Sequence, residues 1–318
     1  MLSRHAEDLY WTGRYIERAE DTARLLDVTH HGMLELSGED AAQANRDVLE
    51  VLSLETRFTG SAEDSAAVTN FLVLDQDNPG SISSAVARAR TNARGLRDRI
   101  SSELWEAINS FYLDLQALDL SEEIHEHPYQ VYRRVKNSCQ MVTGVAAETM
   151  PRDDGYRFLT MGRLLERAEM TTRLLDVRYH RLVDSPGAMS FNRWAALLKS
   201  VSAYEAYLKE YRAAVDPIQV LAFLLLSADF PRSVQFCLQG TERELAGLID
   251  TGVRSDAQRL LGMVCAKVEY CDLGSLLGGS LGDFLDELQE DIWQVGAAID
   301  THFFHHATDL DLHPYVTR

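Results

Sequence analysis

The sequence predicts an all-α protein, an antiparallel helical bundle built from two pseudo-repeated halves. Three observations predict it. Apolar residues recur at helical spacing along nearly the whole chain. No alternating apolar and polar run bounded by hairpin signals stands out. And a charged segment occurs twice: Gly13-Arg14-Tyr15-Ile16-Glu17-Arg18-Ala19-Glu20 returns as Gly162-Arg163-Leu164-Leu165-Glu166-Arg167-Ala168-Glu169. So long a period points to duplication of a whole helical unit. A second match supports it. Phe71-Leu72-Val73-Leu74 ahead of Asp77-Asn78-Pro79-Gly80-Ser81-Ile82 corresponds to Phe223-Leu224-Leu225-Leu226 ahead of Asp229-Phe230-Pro231-Arg232-Ser233-Val234. The halves are placed at 1–150 and 151–318, joined near Met150-Pro151-Arg152-Asp153-Asp154-Gly155.

In order, Ser3 starts a helix expected to run to Leu36, with Leu9, Ile16, Ala19, Ala23 and Leu26 on one side. After Gly38-Glu39-Asp40, helices are expected over Ala41–Phe58 and Ser61–Asp75. The Asn78-Pro79-Gly80 turn then starts Ser81–Asn109, read as one long helix or two broken near Ser101-Ser102. Pro128 opens a helix toward Glu148. The second half is expected as Asp154–Arg181, Phe191–Ala214, Pro217–Ser227, Pro231–Ile249, Arg254–Asp272 and Leu281–His306. Short connections between so many helices imply antiparallel packing.

The chain has 318 residues, 46% of them hydrophobic, enough for one large domain or two packed ones. Asp and Glu number 49 against 31 Lys and Arg, a net charge of -18. That balance argues against general affinity for nucleic acid or anionic membrane. Cys139, Cys237, Cys265 and Cys271 lie scattered in helical patterns without Cys-x-x-Cys spacing, and are read as buried free thiols. Met1-Leu2-Ser3-Arg4-His5 leads into the charged helix without an apolar signal region, and the most apolar run, Val220–Leu226, is too short to span a bilayer. A reduced, cytoplasmic compartment is expected.

The recurring charges are the first candidates for function. At 3.6 residues per turn Glu7, Tyr10, Arg14, Glu17, Arg18 and Asp21 share one face. Three readings stand open. The charges form a solvated face with weak i,i+4 pairs. Or they form a buried ion-pair seam, Glu17 with Arg163 or Arg167 and Glu166 with Arg14 or Arg18. Or they line a central pocket whose arginines hold a carboxylate or phosphate while a glutamate handles an amine or proton. The candidate residues are Arg14, Glu17, Arg18, Glu20, Arg163, Glu166, Arg167 and Glu169, with Glu7, Tyr10, Asn78, Arg90, Arg94, Arg97 and Arg232 as secondary candidates. Arg90, Arg94 and Arg97 form a basic stripe, read either as carboxylate or phosphate ligands or as neutralisers of acidic neighbours.

Together with Met-Leu-Ser-Arg at the start, the run Ala6-Glu7-x-Leu9-Tyr10-Trp11-x-Gly13-Arg14-Tyr15-x-Glu17-Arg18-Ala19-Glu20 resembles the bacterial alpha-E family, named for its helices and Glu-Arg motif. Asn78-Pro79-x-Ser81-Ile82, Ala89-Arg90-x-Asn92-Ala93-Arg94, Arg97, Glu103-x-Trp105-Glu106, Asn109 and Phe230-Pro231-Arg232-Ser233-Val234 extend the resemblance; Gly80 departs from it in a turn. The resemblance implies a genetic neighbourhood with a circularly permuted ATP-grasp protein and often a transglutaminase-like protein, in a system that makes or processes a peptide-like amide. It leaves the reaction of the alpha-E member itself undetermined.

No metal or cofactor is expected. Glu17/Glu20 and Glu166/Glu169 have i,i+3 carboxylate spacing, but the interleaved arginines oppose a cation, and dimetal bundles want Glu-x-x-His on two helices. Glu122/His125 is placed in a connection, and His302, His305 and His306 are read as packing beside Phe303 and Phe304. No phosphate loop, nucleophile elbow or Ser/Cys–His constellation appears. Three classes remain: a helical partner of an ATP-grasp ligase, an enzyme acting on that ligase's substrate or product, and a stand-alone binder of an anionic metabolite.

Overall fold

The computed structural model describes residues 1–33, 38–117, 120–183, 188–212, 215–248, 255–277 and 279–304. Among them it has no strand and the α-helices α1 (Ser3–Met33), α2 (Gly38–Val51), α3 (Ser65–Val73), α4 (Ile82–Gly95), α5 (Ser102–Ala117), α6 (Leu120–Glu126), α7 (Pro128–Thr149), α8 (Asp154–Val183), α9 (Ala188–Ser200), α10 (Tyr204–Tyr211), α11 (Pro217–Leu226), α12 (Val234–Ala246), α13 (Asp256–Glu269), α14 (Leu273–Leu277) and α15 (Leu281–Ile299). A π-helical turn, Asp300–Phe304, follows α15. The all-α expectation holds.

Two compact units divide the chain: Met1–Arg163 with Phe303 and Phe304, and Leu164–His302. Their boundary falls inside α8, whereas the sequence places its halves at 150/151.

In the first unit α1 packs against α4 and α7, and α5 closes the ring by packing on both. Ser81 caps α4 by accepting from Ser84 N, and Pro128 supplies the first turn of α7. The Asn92 amide donates to the Asp8 carbonyl at 3.2 Å, tying α4 to α1. Ser101 and Thr149 hydroxyls meet at 2.5 Å, tying the start of α5 to the end of α7. Leu9, Ile16, Ala19, Ala23, Val86 and Val142 are among the apolar side chains buried here.

In the second unit α12, α13 and α15 pack in sequence. The part of α8 from Leu164 joins α12 through Arg167 Nη1 to the Pro231 carbonyl (3.0 Å) and Thr171 Oγ1 to the Arg232 carbonyl (3.0 Å). Gln289 on α15 donates to Asp176 on α8 at 3.4 Å. Ser233 caps α12, and Ser255 with Gln258 forms a capping box on α13. α11 buries Val220, Leu221, Phe223, Leu224 and Leu225, as an all-round apolar helix must.

Several helices are shorter than the periodicity predicts, for local reasons. Ser53 has φ 53°, and Leu54 N closes on the Leu49 carbonyl, so α2 stops at Val51 and does not reach Phe58. Ser202, also at φ 53°, splits the helix expected over Phe191–Ala214 into α9 and α10, with Ala203 N closing on the Leu198 carbonyl. Asp64 caps α3 and thereby delays its start to Ser65. The Ser81–Asn109 stretch is two helices, because Leu96 caps α4 and α5 begins only at Ser102. α6 and α14 were not foreseen; Glu122 and His125 lie on α6, both exposed, and not in a connection. Cys271 is half-buried where a buried thiol is expected. His305, His306 and the ends expected at Leu36, Ala214, Ile249 and Arg254 lie outside the described residues.

Candidate functional site

The recurring glycines, Gly13 and Gly162, meet at one place. A Cβ on Gly13 would strike the Leu159 carbonyl oxygen of α8 and stand 3.0 Å from Arg163 N. A Cβ on Gly162 would strike the Tyr10 carbonyl oxygen of α1. Both contacts lie within the first unit and are reciprocal: each glycine meets the carbonyl three residues ahead of the other. Backbones at this distance exclude any side chain at either position, so the two Gly-Arg sequences mark one helix crossing.

All the primary candidates except Arg163 are buried: Arg14 is 1% exposed, Glu17 0%, Arg18 1% and Glu166 1%, with Glu20, Arg167 and Glu169 below a tenth. Arg163 is half-buried. The solvated-face reading therefore fails for the motif. Along the stretch Leu9–Leu26 both the apolar and the charged faces of α1 are buried, with Trp11, Tyr15 and Arg24 half-covered. A helix covered this fully is normally apolar all round, and buried charge is tolerated only when paired or hydrogen-bonded.

The pairing is specific. Arg14 donates from Nε and Nη2 to the Tyr10 hydroxyl at 3.1 and 2.9 Å, and its guanidinium lies 5.8 Å from the Trp11 ring. The Arg18 guanidinium lies over Tyr15 at 5.7 Å. Arg24 forks onto Glu20 Oε1, Nε at 3.1 Å and Nη2 at 2.5 Å, and Gln140 of α7 reaches the same oxygen at 3.4 Å. One turn on, Asp27 accepts from Lys136 of α7 at 2.6 Å. In the second unit Arg173 pairs with Glu169 at 3.4 Å, the same i,i+4 relation, and Arg167 is anchored on the Pro231 carbonyl. Cys139 of α7 sits against this carboxylate row. Burial, then Glu20, Glu17 and Asp21, drive its thiol far above the ordinary value, with Arg24 opposing.

The secondary candidates divide. Tyr10 is buried as the acceptor of Arg14, and Glu7 is half-buried. Asn78 is a turn-former: its amide donates to the Phe71 carbonyl and its oxygen accepts from Gly80 N. Arg232 is buried and its carbonyl accepts from Thr171. Arg90, Arg94 and Arg97 make no ion pair within the described residues; Arg90 and Arg97 stack instead on aromatic rings of α5. Of the two roles open to the stripe, neutralising acidic neighbours by ion pairing is therefore not seen among the described residues. Sequence reasoning overlooked Arg24, Arg173, Lys136 and the aromatic partners Trp105 and Tyr112. The recurrence of Glu20-x-x-x-Arg24 as Glu169-x-x-x-Arg173 was a legible signal for the first two.

A cleft of about 40 Å³ in the first unit is bordered by Gly13, Ile16, Ala146, Tyr156, Thr160 and Arg163. That volume has room for a few waters. Among the described residues no three His, Cys, Asp or Glu side chains converge as metal ligands, and no helix is long and apolar enough to cross a membrane.

The chain is 27% identical over 276 residues to uncharacterised proteins of Mycobacterium bovis and of two strains of Mycobacterium tuberculosis. The match covers 80% of this chain and 31% of each relative, so the chain spans under a third of the length of these curated relatives. No solved structure matches it. A family model described as a predicted alpha-helical domain with a conserved ER motif matches residues 1–304, and the chain belongs to that alpha-E family.

Proposed function

We propose that this protein is a helical accessory component of an amide- or peptide-bond-forming system whose chemistry is carried by a circularly permuted ATP-grasp protein, with a transglutaminase-like protein as a further associate. The observation that carries the reading is the burial of the Glu-Arg motif. Glu17 is 0% exposed, and Glu20, Glu169, Arg14 and Arg167 are held by partners on their own or adjacent elements. A general base or anion clamp must meet its substrate; a residue this covered serves as frame. The motif then fixes the helices, and the surface is left for a partner. Partnership is supported by the mycobacterial relatives, in which the matched region is joined to a much longer chain. We also propose that the two halves descend from one duplicated unit, since the interval from Ser53 to Ser202, both left-handed, equals that from Gly13 to Gly162.

The test is co-expression with the ATP-grasp protein, followed by affinity purification and measurement of amino-acid-dependent ADP release and amide formation. Co-elution, with amide formation that depends on this chain, is the expected result. No co-elution, with equal turnover in its absence, would overturn the proposal.

A further inference from the structure

The arginine stripe of α4 is built against a matching stripe of α5. Arg90, Arg94 and Arg97 follow one another at i, i+4 and i+7, and Trp105, Asn109 and Tyr112 do the same. The Arg97 guanidinium lies 4.3 Å from the centre of the Trp105 ring. Arg90 lies 4.6 Å over Tyr112 and donates from Nε to Asn109 Oδ1 at 2.8 Å. Arg94, between them, is exposed. Acidic residues are plentiful in this chain, yet no carboxylate of the described residues lies within ion-pair distance of these three arginines, whereas Arg99 pairs with Asp98 and Arg24 with Glu20.

A guanidinium stacked on a ring keeps its in-plane N–H edge for bidentate acceptors, and stacking removes side-chain entropy before a ligand arrives. We propose that the α4/α5 face is a docking surface for an acidic polypeptide segment of the partner protein, Arg94 and Arg97 gripping its carboxylates while Arg90 braces the row. This deepens the accessory reading by naming the surface that receives the partner. Charge complementarity selects the occupant. A local cationic row on a chain of net charge -18 suits a short segment with a few carboxylates. A nucleic acid, with phosphates extending far past three arginines, would meet the repulsion of the remaining surface.

The test uses the full chain and a short fluorescein-labelled oligoglutamate peptide, read by fluorescence anisotropy at low ionic strength, so its outcome does not depend on the identity of the ATP-grasp partner. Arg94→Glu with Arg97→Glu is expected to weaken binding at least roughly tenfold, while Arg133→Glu with Arg134→Glu, exposed on α7, leaves it near wild type. Circular dichroism checks that both variants are folded. Arg97→Lys, which keeps the charge but loses the planar stack, should lose part of the affinity. Equal weakening by the two double variants, absence of peptide binding, or tighter binding of a single-stranded oligonucleotide of equal charge would each overturn the proposal.

Discussion

Glu20 and Arg24 show at the residue scale what burial does to a charge. On an exposed helix their i,i+4 pair would contribute about 0.3–0.5 kcal/mol. Here both side chains are nearly covered and the arginine forks onto one oxygen. Arg24→Ala takes from the buried Glu20 carboxylate the guanidinium that forks onto it, and is expected to destabilise the protein by about 3–5 kcal/mol, measured by urea unfolding. Arg24→Ala together with Glu20→Leu should recover much of the loss. The thiols give a second residue-scale prediction. Burial, then Glu242 and Glu269, push Cys265 up to about 12, and Cys139 is driven far above its ordinary value. Both are protonated at neutral pH, and the thiolate is the reactive form. A disulfide reagent should therefore react slowly with the native protein, fastest at half-buried Cys271, and with all four cysteines once it is unfolded. Fast reaction at native Cys139 would contradict the burial described.

Between elements, the crossing of α1 with α8 decides most. Gly13→Ala and Gly162→Ala each drive a methyl into a backbone carbonyl of the other helix. Neither backbone can yield as a flexible side chain would, so each is expected to cost about 3 kcal/mol, the upper end of the usual overpacking range, seen as a large fall in the thermal midpoint. By contrast Gly144 of α7 faces open space, and Gly144→Ala should be neutral or stabilising by about 0.5–1 kcal/mol from helix propensity. Helix ends follow the same logic. Ser53 holds a left-handed backbone that L-residues resist, so Ser53→Gly should raise stability by up to about 1 kcal/mol. These element-level facts were partly legible in the sequence. The Gly-Arg repeat, the helix start at Ser81 and Pro128 are visible because they act within a few residues, whereas the start of α12 lies at Val234, after the Ser233 cap, and not at Pro231. The breaks at Ser53 and Ser202 were not, because serine carries no left-handed signal. Nor were α6 and α14, too short to show a period. The burial of the charged face of α1 was equally hidden: the spacing of Arg14, Glu17 and Arg18 is what a solvated face also displays, and only the packing of α1 against α4, α7 and the start of α8 decides between them.

For the whole molecule, the signature motif is internal and the cationic row on α4 is external, so the charges that define the family hold the fold while a different set faces outward. That arrangement supports the proposed accessory role over one in which the Glu-Arg motif is an active site. The measurement that separates them most directly is the urea unfolding free energy of Arg167→Ala, taken beside amide formation with the ATP-grasp protein. Arg167 is buried and donates to the Pro231 carbonyl. Its removal is expected to lower stability by about 1.5–3 kcal/mol while the variant that remains folded still supports amide formation. A variant of wild-type stability that supports none would make the motif a ligand or catalytic site and contradict the account.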